Sequence, residues 1–102
     1  MDETTAADRF AALGHPSRLR IFRALVRAGR DGAPVGALQD VLDIPASTLT
    51  HHIQGLAKAG LVHQQRDGRI LVTHADYEAM HGLIDYLNEN CCQGMDEGSS
   101  TS

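Results

Sequence analysis

Hydrophobic residues recur along this chain at helical spacing, break at glycine and proline, give way once to strand-like runs, and then return to helical spacing. Ala6, Phe10 and Leu13 form the apolar face of a first helix, with Thr5 as its cap, Asp8 three residues on in a box-like arrangement, and Gly14 as its end. Pro16 suits the first position of a second helix, where its missing N–H costs nothing. Leu19, Phe22 and Val26 line one stripe of that helix and Ile21 and Leu25 widen it, which predicts a mostly buried element. Gly29, Asp31 and Gly32 make a loop, and a third helix is predicted from Pro34 to Leu42, buried through Val35, Leu38, Val41 and Leu42. Residues 61 to 74, LVHQQRDGRILVTH, read as two strands around Asp67-Gly68, the dipeptide favoured in a type I′ hairpin turn. Thr73 and Asp76 resemble a capping pair for a last helix, predicted from about Ala75 to Cys92.

The stretch from residue 34 to 61 organises the rest. It reads as two short helices with a tight break, the second over residues 45–60 between Pro45 and Gly60. At about 100° per residue, Ala46, Leu49, Ile53, Leu56 and Ala57 share one face. Ser47, His51, Gln54 and Lys58 share the opposite face, flanked by Thr48 and Thr50. That outer face holds no acid, as a helix facing phosphates and base edges requires. By itself it equally fits an ordinary amphipathic helix with small polar residues outside. The hairpin that follows shifts the reading, because Arg66 and Arg69 flank its tip. A helix-turn-helix followed by a basic-tipped hairpin is a winged helix.

Charge supports the same division. The formal net charge of −4 is at odds with a nucleic-acid partner until it is mapped along the chain. All nine Arg and Lys lie in residues 9–75, against Asp31, Asp40, Asp43 and Asp67. Asp2, Glu3 and Asp8 precede them, and Asp76, Glu78, Asp85, Glu89, Asp96 and Glu97 follow. The middle is basic and both ends are acidic. With 102 residues the chain makes one domain with a modest core, a size that gains from self-association. No apolar run approaches the roughly 20 residues of a membrane span, so no membrane partner is expected. Two adjacent cysteines make no disulfide framework and fit the cytoplasm.

The segments IPASTLTHHIQGLAKAGLV and ALGHPSRLRIFRAL together resemble the arsenic-repressor (ArsR/SmtB) family of bacterial winged helix-turn-helix transcription factors, over roughly residues 6 to 90. The resemblance implies a homodimer on double-stranded operator DNA. Base-edge or nearby phosphate contacts are expected from Ser47, Thr48, Thr50, His51, Gln54 and Lys58, and wing contacts from Arg66 and Arg69. The family usually has Arg where this chain has His51. A contact there weakens as pH rises through the histidine pKa, about 6.5 when unperturbed. The Cys-x-Cys sensor pair of many relatives falls on Pro34 and Gly36 and is absent. Of the zinc-sensing positions on the last helix, Asp76 and Glu89 match two, but Glu78 and Cys92 occupy the histidine places, and no high-affinity zinc site is expected.

Two features of the last helix carry the remaining expectations. Tyr77, Met80, Ile84, Leu87 and Cys91 alternate spacings of three and four, a seam of the coiled-coil kind, widened by Leu83 and Tyr86. Such a seam packs either on a partner chain or on the protomer's own core; a small domain and the family resemblance favour the dimer. Then come Cys91 and Cys92, in a run NENCC that resembles the C-terminal arsenic site of one branch of the family. Two thiols satisfy a methylarsenite-like arsenical, whereas arsenite wants a third thiolate, from glutathione or the other protomer. The resemblance therefore implies no permanently bound cofactor but an inducer, trivalent arsenic, as arsenite or methylarsenite. Another soft ion or thiol oxidation on the same scaffold is the alternative, and a small thiol redox enzyme a further one. Against the enzyme, the thiols sit at a helix C-terminus among acids, where their pKa rises, and no Cys-x-x-Cys is present. The histidines His63, His74 and His81 are scattered along the chain, His15 caps or sits on the surface, and His52 hydrogen-bonds within the fold. The expected architecture is thus mainly α with a small β-hairpin wing: five helices, a winged helix-turn-helix, a homodimer through its terminal helices. Residues 1–92 form the domain, and the acidic, serine-rich residues 93–102 form a disordered tail.

Overall fold

A computed structural model describes residues 1–95 of the chain. Five helices and a three-stranded antiparallel sheet follow in the order α1 (Glu3–Leu13), α2 (Pro16–Ala28), β1 (Ala33–Pro34), α3 (Val35–Leu42), α4 (Ala46–Lys58), β2 (Val62–Asp67), β3 (Ile70–Ala75) and α5 (Tyr77–Asn88). The core is centred where α2 meets α4. Ile21 and Leu25 of α2, Leu49, Ile53 and Leu56 of α4, and Leu61 at the entry to the sheet are fully buried. Leu38 and Leu42 of α3, Ala6 and Ala12 of α1, and Ala79 and Leu83 of α5 close the cluster around them.

The helix ends show why the chain folds at these points. Beyond α4, the Gly60 N–H donates to the Ala57 carbonyl and the Leu61 N–H to the Leu56 carbonyl, with Gly60 at φ 80°. This is a Schellman motif, and it needs a residue that tolerates the left-handed region. His15 caps α2 as expected, its Nδ1 accepting from the Ser17 N–H at 3.1 Å. Pro45 sits at the N-cap of α4, one residue before the first helical position.

Several expectations are corrected. The cap of α1 is Asp2, not Thr5. The Asp2 carboxylate accepts from the Thr5 N–H at 2.7 Å, and a charged oxygen is the better acceptor at a helix N-terminus. On α2 the buried stripe is centred on Ile21, Phe22 and Leu25, while Leu19 is 44% exposed. Five apolar positions cover so much of the helix that only its partners decide which of them face inward. Val41 of α3 faces solvent. Thr73 is not a cap; it is buried in β3 and its hydroxyl accepts from Gln64 Nε2 at 3.0 Å. Asp76 alone caps α5, accepting from the Ala79 N–H at 3.0 Å.

The wing also differs in detail. Asp67 pairs with Ile70, so the turn is made by Gly68 and Arg69. Only Gly68 has positive φ, as at the first central position of a type II′ turn; the type I′ turn on Asp67-Gly68 is excluded because it would force a second residue into that region. The loop before α3 adds a third strand that the hairpin reading lacked, with Ala33 opposite Thr73 and Pro34 opposite Val72. Pro34 is tolerated because β1 is an edge strand. Gly32 is needed next to it: a Cβ there would stand 2.6 Å from the Thr73 carbonyl oxygen. Finally, α5 stops at Asn88, short of the expected Cys92. Glu89 turns extended, at ψ 129°, and Asn90 and Cys92 take φ of 59° and 65°. The tail expected from residue 93 lies, from residue 96 onward, outside the described residues.

Candidate DNA-binding face and thiol site

The outer face of α4 presents the side chains expected of a reading helix. Ser47, Thr48, Thr50, His51, Gln54 and Lys58 are all exposed, while Leu49, Ile53 and Leu56 hold the helix to the core. Arg66 and Arg69 are exposed at the wing tip. The two groups lie on consecutive elements, α4 and the β2–β3 hairpin.

What fixes α4 in place was not visible in the hydrophobic pattern. Three arginines reach from α1 and α2 to the helix-turn-helix. Arg9 Nε donates to the Ala59 carbonyl at 2.9 Å, at the C-cap of α4. Arg20 Nη2 donates to the Leu42 carbonyl at 3.0 Å, at the last residue of α3. Both cations meet the negative ends of helices, whose final carbonyls lack intrahelical partners. Arg18 Nε donates to Nδ1 of the buried His52 at 3.3 Å. Its guanidinium also lies across Gly55, where a Cβ would approach to 2.6 Å. A glycine inside a helix is the one sequence signal that marks such a close approach.

Two histidine groupings form. The rings of His15 and His52 stand 4.6 Å apart, and that of His51 lies 5.7 Å from His52. His63 and His74, scattered in sequence, are cross-strand neighbours with stacked rings 5.2 Å apart. Among the described residues no group of three or more His, Cys, Asp or Glu is arranged to hold a metal ion.

Cys91 and Cys92 lie beyond α5, in the turn that starts at Glu89, and both are exposed. This corrects the placing of Cys91 on the helical seam. On a regular helix the two side chains would diverge by about 100°. Here the positive φ at Asn90 and Cys92 belongs to an irregular turn in which the sulfurs stand 3.2 Å apart. The hydrogen bond between the two sulfurs, with desolvation adding to it, holds the Cys91 thiol above its usual range. On α5 itself, Leu83 faces inward and Ile84 and Leu87 are 49% and 69% exposed. Tyr77 is turned to its own protomer: its hydroxyl bonds the Leu25 and Val26 carbonyls, and Arg30 lies over its ring at 5.0 Å.

A helix-turn-helix, α3 and α4, followed by a hairpin with arginines at its tip, defines a winged helix-turn-helix protein. Comparison with known proteins narrows this. The helix-turn-helix domain family matches residues 13–65. The HTH-type transcriptional regulator YgaV of Escherichia coli is 30% identical over 87 residues, covering 85% of this chain and 86% of that protein. The cadmium resistance transcriptional regulatory protein CadC of Listeria innocua is 30% identical over 70 residues, 69% of this chain and 57% of that one. Among solved structures, an ArsR-like transcriptional regulator from Rhodococcus superposes with a TM-score of 0.74 at 24% identity, over 84% of this chain and 78% of that chain. A homodimeric winged helix-turn-helix DNA-binding domain from Mycobacterium bovis superposes with a TM-score of 0.67 at 22% identity, over 85% and 81%. The chain belongs to the ArsR/SmtB family of winged helix-turn-helix transcriptional regulators. It is a DNA-binding regulator rather than an enzyme. Among the described residues no helix is long and apolar enough to cross a membrane.

Removing the wing cations tests that surface. Loss of a single phosphate contact should flatten the log–log salt dependence of DNA affinity by about 0.9. Arg66→Ala and Arg69→Ala are each expected to weaken binding and reduce this slope, measured by fluorescence anisotropy from low to high salt. Unchanged affinity and slope in both variants would remove the wing from the DNA interface.

Proposed function

We propose that the protein is an arsenic-responsive transcriptional repressor. As a homodimer it holds an inverted-repeat operator through α4 and the wing, and it releases that DNA when a trivalent arsenical binds Cys91 and Cys92. The observation that carries the ligand is the 3.2 Å separation of two exposed sulfurs at the end of α5. Taking the about 2.3 Å of a zinc–thiolate bond as a guide, and a pyramidal angle of about 90°, two sulfurs on one centre stand about 3.3 Å apart. The pair is therefore already close to its chelating separation. The chemistry balances without an oxidant. Two As–O bonds of methylarsenite break, two As–S bonds form, and the thiol protons leave with the oxygens as two waters. A raised thiol pKa does not oppose this, because the thiols enter protonated.

Two sulfurs complete a monosubstituted arsenical but leave one valence open on arsenite, so methylarsenite is the favoured inducer. The cadmium named for the Listeria regulator supports another soft ion as the second reading. In the DNA complex, Ser47, Thr48, Thr50, His51 and Gln54 face base edges or nearby phosphates and Lys58 the backbone, with Ile84 and Leu87 joining the protomers. Two-fold symmetry then sets the half-sites about one helical turn, roughly 34–36 Å, apart. The test is a gel-shift titration with methylarsenite, arsenite, cadmium and an oxidant, on a duplex selected by the protein from a random-sequence pool. Release at the lowest concentration by methylarsenite is expected; release by oxidant alone, with all three soft ligands inert, would replace this reading with a thiol-oxidation sensor. In the same assay Gln54→Ala should lose roughly 1–3 kcal/mol of discrimination at one base position.

A further inference from the structure

We infer that Arg18 and His52 form a proton-sensitive latch that positions α4 for DNA, so that operator and protons compete for the protein. The latch presupposes that α4 is the reading helix, and it is built from three features. His52 is the buried polar residue on the inner side of α4, 7% exposed. Arg18 Nε, from α2, donates to its Nδ1 at 3.3 Å. Gly55, one turn along α4, provides the space in which the guanidinium lies, since a Cβ there would meet it at 2.6 Å.

The geometry fixes the protonation state. An N–H aimed at Nδ1 requires that nitrogen to carry a lone pair, so the ring is neutral with its proton on Nε2. Protonation places a second N–H against the first and turns an attraction into a donor–donor, cation–cation contact. The surrounding groups offer no compensation. His15 and Arg18 face the ring from α2 and its N-cap, and His51 flanks it on α4, while Lys58 and Asp8 line the cleft beside Arg18. Burial, followed by His15, Arg18 and His51, accordingly holds the His52 pKa below its ordinary value. The sign follows from linkage. Over the window from about pH 6.5 down to the depressed pKa, a protein with the latch open binds more protons than one with it closed. The closed, DNA-competent position is therefore favoured above about pH 6.5 and lost as pH falls through that window. His51, exposed on the face read as DNA-facing, is removed from the comparison by substitution.

The experiment separates the two histidines. Operator affinity is measured by anisotropy at fixed ionic strength between about pH 7.5 and 5.5, in His51→Gln and in His51→Gln combined with His52→Asn. Asparagine keeps an acceptor close to the Nδ1 position and does not titrate. His51→Gln should lose roughly threefold or more in affinity across that range, within the limit of tenfold per pH unit for one proton. The added His52→Asn should flatten the profile while retaining the affinity at pH 7.5. Equal slopes in the two proteins would overturn the latch. Should His52→Asn fail to fold, imidazole NMR titration of the His51→Gln protein decides: the His52 pKa must be lower in the DNA complex than in the free protein, and equal values overturn the proposal. Failure to enrich any duplex at any pH would instead overturn the reading of α4 itself, a separate result.

Discussion

A Cys91→Ser or Cys92→Ser protein should stay on its operator at methylarsenite concentrations that strip the wild type. One remaining thiol leaves an arsenical held by a single sulfur, with its other oxygen free to exchange with water, and the chelate advantage is gone. Ligand-free DNA binding should be unchanged, because both residues lie beyond α5 and are exposed, remote in sequence from α4 and the wing. An allosteric coupling of about 1–3 kcal/mol corresponds to a loss of about 5–150-fold in operator affinity for the liganded wild type. The serine variants should lose none of it. Release by methylarsenite that persists in the double serine variant would remove these cysteines from the inducer site.

The second large effect concerns α5. Ile84→Glu, alone or with Leu87→Glu, should convert the dimer to monomers, read by sedimentation velocity. Ile84 and Leu87 are 49% and 69% exposed in one protomer, whereas Leu83 beside them is buried in the protomer's own core. A glutamate between two chains would place an unpaired charge in a desolvated interface. Each protomer would then hold one half-site alone, and the loss of linkage between half-sites costs about 10²–10⁴-fold in operator affinity. A variant that remains dimeric would move the interface to another face.

Most of the architecture was legible because it follows from periodicity and punctuation. The apolar stripe of α4, the glycine that ends it and the strand runs after it specify a helix-turn-helix with a wing, although Ala46 and Ala57 of that stripe are exposed and the wing turn falls one residue later than read. The misplacements have a common cause: a one-dimensional pattern gives faces and not partners. Leu19 and Val41 belong to stripes that suit a core, yet on these two helices it is Ile21, Phe22, Leu25, Leu38 and Leu42 that meet other elements closely enough to be excluded from water. The two-residue β1 is too short for a pattern and exists because β3 passes beside it. Helical spacing ran on through Cys91, since nothing before Gly94 forbids it sterically; the left-handed Asn90, a residue that tolerates that conformation, was the only available marker of the true end. The candidate DNA residues were legible as an outer face. The thiol pair was legible as a pair, but its separation was not, because it depends on backbone angles outside any regular element. The arginine arms were invisible, since cations spread around α2 look alike until their acceptors are located.

The arms of Arg9 and Arg18 grip α4 at Ala59 and at His52, on the side away from Thr50 and Gln54. Holding the helix and reading the DNA thus draw on different side chains. Substitutions on the exposed face fall in the class that usually changes stability by no more than about 0.5 kcal/mol. A lineage carrying this domain can therefore change the sequence it addresses through single, individually tolerated steps, without passing through unfolded intermediates. Gly55 differs: a side chain there would displace the Arg18 guanidinium, so a change at that position acts on the grip and not on the reading face.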